Sequence, residues 1–143
     1  MTPALFTAAF VAALALSLTL QLWLARRHVR HVAAHRDRVP AAFADRIELP
    51  AHQRAADYTV ARTRFGVVET LFEAGVLLAL TLGGGIAALV ALTGAFDWGP
   101  LGQDLALVVA LALVSGVLGL PFSWHRTFGI EARFGFNRTT PRL

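Results

Sequence analysis

Three stretches without a charged side chain constrain this chain more than any other feature: residues 1–25, 74–96 and 105–124 contain no Asp, Glu, Lys or Arg. At about 1.5 Å per residue, a helix of roughly 20 residues spans the ~30 Å hydrocarbon layer of a bilayer, and each stretch reaches that length. The prediction is an all-α polytopic membrane protein with three transmembrane helices over about 4–25, 67–93 and 105–124, and a long cytoplasmic loop over 26–66. With 56% hydrophobic and 15% charged residues among 143, lipid rather than water is the expected solvent. A cleaved signal peptide is disfavoured, because the start Met1-Thr2-Pro3 lacks charge and Arg26, Arg27 and Arg30 follow the apolar block.

Arginine sets the orientation, since basic loops stay on the cytoplasmic side during insertion. Residues 26–65 carry nine arginines against Asp37, Asp45, Glu48 and Asp57. The connection Phe96-Asp97-Trp98-Gly99-Pro100 has no basic residue, whereas the tail regains Arg126, Arg133, Arg138 and Arg142. The N-terminus is therefore expected outside and the C-terminus in the cytoplasm. Trp23, Trp98 and Trp124 fall at the expected span ends, where an indole buries its ring and keeps its N–H wet. A sequence pI of about 11.3 invites a nucleic-acid reading, but the net charge is only +4 and its distribution is the one topology requires. The expected partner is the lipid bilayer, with arginines drawn to anionic headgroups, and no nucleic acid. Without cysteine the chain has no disulfides and no thiolate metal sites.

The loop has structure of its own. Arg26 to Arg38 reads as a helix continuing out of the membrane and ending at Val39-Pro40, because the residue before proline is pushed out of the α region. A second helix is expected from Leu49-Pro50 into the second span, with Gly66 as a candidate bend. Tyr58, Arg62, Phe65, Glu69 and Phe72 fall three or four apart on it and share a face. Gly75, Ala79, Gly83, Ala87 and Ala91 repeat every four residues, a stripe on which helices in lipid approach closely. Gly83-Gly84-Gly85 equally marks a kink or local unwinding, and the sequence leaves both readings open.

Candidate chemistry is sparse. His31 and His35 have the i, i+4 spacing of a zinc helix, with His28 a turn earlier, but Val32 stands where H-E-x-x-H needs its glutamate. Arg26, Arg27, Arg30, Arg36 and Arg38 surround them and would repel a dication, so a solvated basic face is the better reading. Glu69 and Glu73 enter the bilayer, where ionisable groups must be paired, neutralised or wet. They fit an ion pair with Arg62 or a tail arginine, or the wall of a hydrated cavity. Gly83-Gly84-Gly85 lies in the bilayer without a following lysine, which makes a poor phosphate loop. No catalytic or metal residue is assigned.

The tail from Arg126 to Pro141 reads R-T-F-x-I-E-x-R-F-G-F-N-R-x-T-P, and it resembles the segment after the third membrane helix of the CAAX prenyl proteases of the zinc metallopeptidase type. Residues 51–64, AHQRAADYTVARTR, resemble the region before that family's second helix. The resemblance implies a membrane-embedded endopeptidase whose helices enclose a water-filled chamber. It implies zinc held by two histidines of H-E-x-x-H and a later glutamate, acting on prenylated C-terminal peptides in eukaryotes or in membrane-protein turnover in bacteria. No histidine here is followed by glutamate. No cofactor is therefore expected in this chain, zinc being expected only in a missing catalytic part. The remaining helices and that catalytic domain are the implied partners. Arg126, Glu131, Arg133, Phe134, Gly135 and Asn137 are motif positions whose role the resemblance leaves open.

Thr140-Pro141 reads as a helix start shortly before the chain stops, which suggests a piece of a longer protein or a shortened gene. Two functions follow: the amino-terminal portion of a zinc metalloendopeptidase, contributing chamber wall, or a standalone membrane scaffold associating through the Gly75 stripe. Absence of lysine among 13 basic residues fits GC-rich coding and hence a bacterial inner membrane.

Overall fold

A computed structural model describes residues 2–96 and 98–136, and every described regular element is helical. Helix α1 spans Pro3–Ala34, α2 Leu49–Thr81, α3 Gly85–Gly94 and α4 Gly99–Trp124. A π-helical stretch, His125–Glu131, follows α4 directly and leads into a short α5, Ala132–Phe134. A single 3₁₀ turn, Ala41–Phe43, lies in the loop between α1 and α2.

Burial is the reverse of a water-soluble fold. Among described residues only Ala56, Ala74 and Ile130 are buried apolar side chains, while Leu5, Phe6, Leu16 and Leu20 on α1 and Leu101, Leu105, Val108 and Leu113 on α4 are exposed. Apolar surface that extensive requires an apolar surrounding. Helix α1 and the 36-residue stretch Gly99–Phe134 are each long and apolar enough to cross a membrane, and α2 with α3 qualify only as a pair, bent by 55°. This is an integral membrane protein.

Several hydroxyls in the apolar stretches bond within their own helices, as suits a lipid surrounding. Thr19 donates to the Ala15 carbonyl at 2.7 Å, Thr81 to Leu77 at 2.6 Å, and the buried Thr93 to Leu89 at 3.0 Å. Gln21 donates to Ser17 Oγ at 3.0 Å.

The ends of the helices follow local chemistry in part. Thr2 accepts from the Leu5 N–H at 3.3 Å with Pro3 in the first turn, so α1 begins on a side-chain cap. Helix α2 begins at Leu49, where Leu49-Pro50 predicts it, and its helical winding runs without interruption through Gly66. Helix α1 ends at Ala34 rather than at Arg38. Its continuation is diverted because Arg36 and Asp37 engage partners on α2, a tertiary gain that outweighs further helical hydrogen bonds.

The break comes at the glycine run instead. The N–H groups of Leu82 and Gly83 both donate to the Leu78 carbonyl, at 2.8 and 2.9 Å, and Gly84 takes φ +79° before α3 starts. A Cβ at Gly83 would lie 2.6 Å from the Ala79 carbonyl oxygen, so backbone approach as well as φ demands glycine here. Of the two readings left open for this run, the structure takes the kink. The five small residues accordingly do not form one straight stripe: Gly75 and Ala79 lie on α2, Gly83 in the break, and Ala87 and Ala91 on α3, all exposed.

The chain forms two compact units, one of Met1–Leu71 with Arg126–Leu143 and one of Phe72–His125. Within the second, α3 packs along α4, and the rings of Phe72 and Phe122 meet with centroids 4.6 Å apart.

Candidate functional site

In the first unit, charged and aromatic side chains from distant parts of the sequence converge. Tyr58 and Glu69 lie eleven residues apart on α2, three turns and about 16 Å along one face. The tail runs back along that face. Arg126, the second residue of the π stretch, donates through Nη2 to Glu69 Oε2. Eight and ten residues later the Tyr58 ring meets Phe134 edge-on, centroids 5.7 Å apart, and Phe136 at 4.6 Å. Ile130 is buried between these anchors in the sequence.

Gly135 makes the second anchor possible. Its N–H donates to the Ala132 carbonyl at 3.1 Å, and the Phe136 N–H reaches five residues back to Glu131 at 2.9 Å. This pair of bonds closes a helix on a left-handed residue, and Gly135 has φ +79°. The turn puts Phe134 and Phe136 on the same tyrosine. The run R-F-G-F in the tail is thus a capping device with an aromatic ring on each side.

At the aqueous end of α1 a second set of contacts ties α1 to α2. Arg36 holds Asp57 with two parallel hydrogen bonds, Nε to Oδ1 at 2.7 Å and Nη2 to Oδ2 at 2.9 Å, and donates through Nη1 to Asp37 at 2.9 Å. Gln53 donates to the same Asp37 oxygen at 2.8 Å, and a His52 ring nitrogen lies 3.0 Å from the His35 carbonyl. The Arg36 hydrogen bonds hold the Asp57 carboxyl below the usual carboxylate range, and the two acids raise the Arg36 guanidinium.

The residues singled out in the sequence distribute as follows. Glu69 pairs with a tail arginine, Arg126, and not with Arg62; among the described residues Arg62 and Glu73 make no ion pair and are exposed. The guanidinium of Arg133 lies 5.7 Å from the Phe134 ring. The Glu131 carbonyl serves the cap just described. Asn137 and Thr140-Pro141 lie outside the described residues. The His31 and His35 rings meet with centroids 4.3 Å apart, tilted by 35°, and a His35 ring nitrogen lies 2.8 Å from the His31 carbonyl. The Arg36–Asp57 pair carried only a weak signal in the sequence, one of four acids amid nine arginines, and chain separation hid it.

The described residues offer no group of three metal-capable side chains. With no histidine followed by glutamate in the whole sequence, the donors present do not fit a catalytic zinc centre of the H-E-x-x-H type.

Fold and site together define a polytopic membrane protein whose third apolar helix continues into a tail locked against the second by Glu69–Arg126 and Tyr58–Phe134–Phe136. Residues 28–143 match the family model described as the CAAX prenyl protease N-terminal region with five membrane helices, and the chain belongs to that family. It is 31% identical to mouse CAAX prenyl protease 1 homolog over 141 residues, covering 92% of this chain and 30% of that protein. The human homolog is 30% identical over 141 residues, again 92% of this chain and 30% of that protein. A probable CAAX prenyl protease 1 from Schizosaccharomyces pombe is 25% identical over 136 residues, 85% of this chain and 28% of that protein. The chain therefore spans about three-tenths of the length of these relatives.

Proposed function

We propose that this chain is the amino-terminal membrane portion of a zinc-dependent metalloendopeptidase, inactive alone, whose α2 face lines a hydrated chamber. The observation that carries the reading is the lock between α2 and the tail, because Tyr58 on one side and Arg126, Phe134 and Phe136 on the other fall in the two segments, 51–64 and 126–141, that resemble the protease family. Relatives more than three times as long, named as CAAX prenyl proteases, support a catalytic domain and further helices as partners. Zinc belongs to that further part, since the donor set here does not fit it. Glu73, exposed and without an ion pair among the described residues, is a carboxylate at the start of an apolar stretch and requires water. On this reading the spans are about 4–25, 67–93 and 105–124, the arginine loop and the C-terminus are cytoplasmic, and the membrane is a bacterial inner membrane.

The chain contains no cysteine, so single cysteines report cleanly on water. Leu77 lies one turn beyond Glu73 on the same face of α2. In native membranes, Leu77→Cys should react with a charged, membrane-impermeant maleimide while Leu113→Cys on α4 stays unlabelled. Equal silence at both positions would remove the chamber from the reading.

The alternative is a non-enzymatic scaffold that associates through Gly75, Ala79, Gly83, Ala87 and Ala91, and exposure of all five favours it. Oxidative cross-linking of Gly75→Cys into a homodimer would support the scaffold. The protease reading expects no disulfide-linked homodimer, since a lone cysteine has no second thiol within the chain.

A further inference from the structure

The lock and the aqueous clasp leave a third polar feature unused. Helices α1 and α2 run antiparallel, with His35 by His52 and Leu22 by Val67, and a groove of about 310 Å³ opens between them. It is lined by Leu22, Ala25, Val29 and Val67 with Arg26, Arg30 and Arg64. No acid lines it, and among the described residues none of the three arginines has an ion pair. The nearby acids are committed elsewhere, Asp57 to Arg36 and Glu69 to Arg126.

Three guanidiniums gathered in one groove repel one another unless an anion joins them. Arginine meets phosphate with a planar fork of donors, and its weak hydration lets it do so beside apolar surface. The groove also lies at the right depth. Residues 3–25 of α1 span about 34 Å as a helix, so Arg26 is the first side chain past the hydrocarbon layer. Across the groove, Arg64 precedes Val67, where the second expected span begins. Both boundaries between apolar and basic sequence therefore meet in the same groove, cations toward the headgroups and Leu22, Ala25 and Val67 toward the acyl chains. Its volume is at the low end for ligand sites and suits a phosphate headgroup with the first carbons of its chains, not a whole lipid.

We propose that Arg26, Arg30 and Arg64 form a binding site for one anionic phospholipid, seated between α1 and α2. The site is independent of the protease reading and needs only that the chain is embedded in a bilayer. Native mass spectrometry of the whole chain in detergent, titrated with phosphatidylglycerol or with phosphatidylcholine of the same acyl chains, tests it. Wild type should retain one phosphatidylglycerol per chain and release phosphatidylcholine. At about fivefold per arginine, the R26Q/R30Q/R64Q variant should bind about a hundredfold more weakly. The R38Q/R46Q/R54Q variant, which removes the same charge outside the groove, should bind as wild type does. Equal losses in the two variants, or equal retention of the two lipids by wild type, would overturn the proposal. Displacement of phosphatidylglycerol by excess inorganic phosphate would also overturn it, because the site would then recognise the free anion without its chains. The lipid comparison on wild type stands even where the groove variant fails to fold.

Discussion

The two units hold together by different physics. The unit of Met1–Leu71 with Arg126–Leu143 contains every ion pair among the described residues, together with the Tyr58 aromatic cluster. The unit of Phe72–His125 has no ion pair among its described residues; α3 lies along α4, Phe72 meets Phe122, and hydroxyls bond back into their own helices. The first straddles the water boundary, where charge is cheap to keep and useful for fixing register. The second consists mostly of the apolar stretches 74–96 and 105–124, and where the surrounding lipid is as apolar as leucine, close approach and backbone shape must do the holding.

The comparison breaks most visibly at Arg126. Arg126→Gln leaves Glu69, only 20% exposed, without its partner, and the first unit should lose about 2–3 kcal/mol, discounted from a fully buried pair because Arg126 keeps 35% exposure. Hydrogen exchange should show α2 from Tyr58 to Glu69 opening, while α3 and α4 keep their protection. Adding Glu69→Gln should recover part of the loss, and a double variant worse than the single would contradict the pairing.

In the second unit the corresponding blow is conformational. Gly84→Val forces a β-branched residue into φ +79° and should cost about 2 kcal/mol by denaturation in detergent, with no change in Tyr58 fluorescence. Gly135→Ala applies the same strain to the tail at an exposed turn, for about 1 kcal/mol. It should loosen Phe136 from Tyr58 and move that fluorescence. A silent fluorescence response would detach the cap from the aromatic cluster.

The smallest effect is at the aqueous clasp. Because Arg36 depresses the Asp57 carboxyl, the pair's contribution is complete above the unfolded carboxylate range and disappears as pH falls through the lower folded value. Limited proteolysis of residues 38–48 should therefore accelerate on acidification in wild type. In Asp57→Asn it should be fast at neutral pH and respond less to acid.

These differences also mark what a sequence can reveal. The apolar stretches, the start of α2 at Leu49-Pro50 and a tail arginine as a candidate for Glu69 are legible because each rests on local pattern or on length. The choice of Arg126 over Arg62 is not, since it depends on how far the tail folds back. Nor is the end of α1 at Ala34: Val39-Pro40 would allow helix to Arg38, and only contact with Asp57 and Gln53 draws the chain away earlier. Gly83-Gly84-Gly85 advertises both a seam and a kink, and small residues cannot distinguish them until the backbone shows φ +79° at Gly84. The π stretch has no local signature at all, being held by what Arg126 and Ile130 reach.

That wider winding from His125 to Glu131 makes the tail behave like a dial set one notch off the ordinary helix. Each residue of an α-helix turns the next side chain by about 100°, and the i→i+5 winding absorbs roughly one residue more than an α-helix would, so relaxing the stretch to normal pitch with every residue kept would rotate everything downstream together. Phe134 and Phe136 would then face away from Tyr58 with their identities intact. Along this segment the spacing of the residues carries as much information as their chemistry.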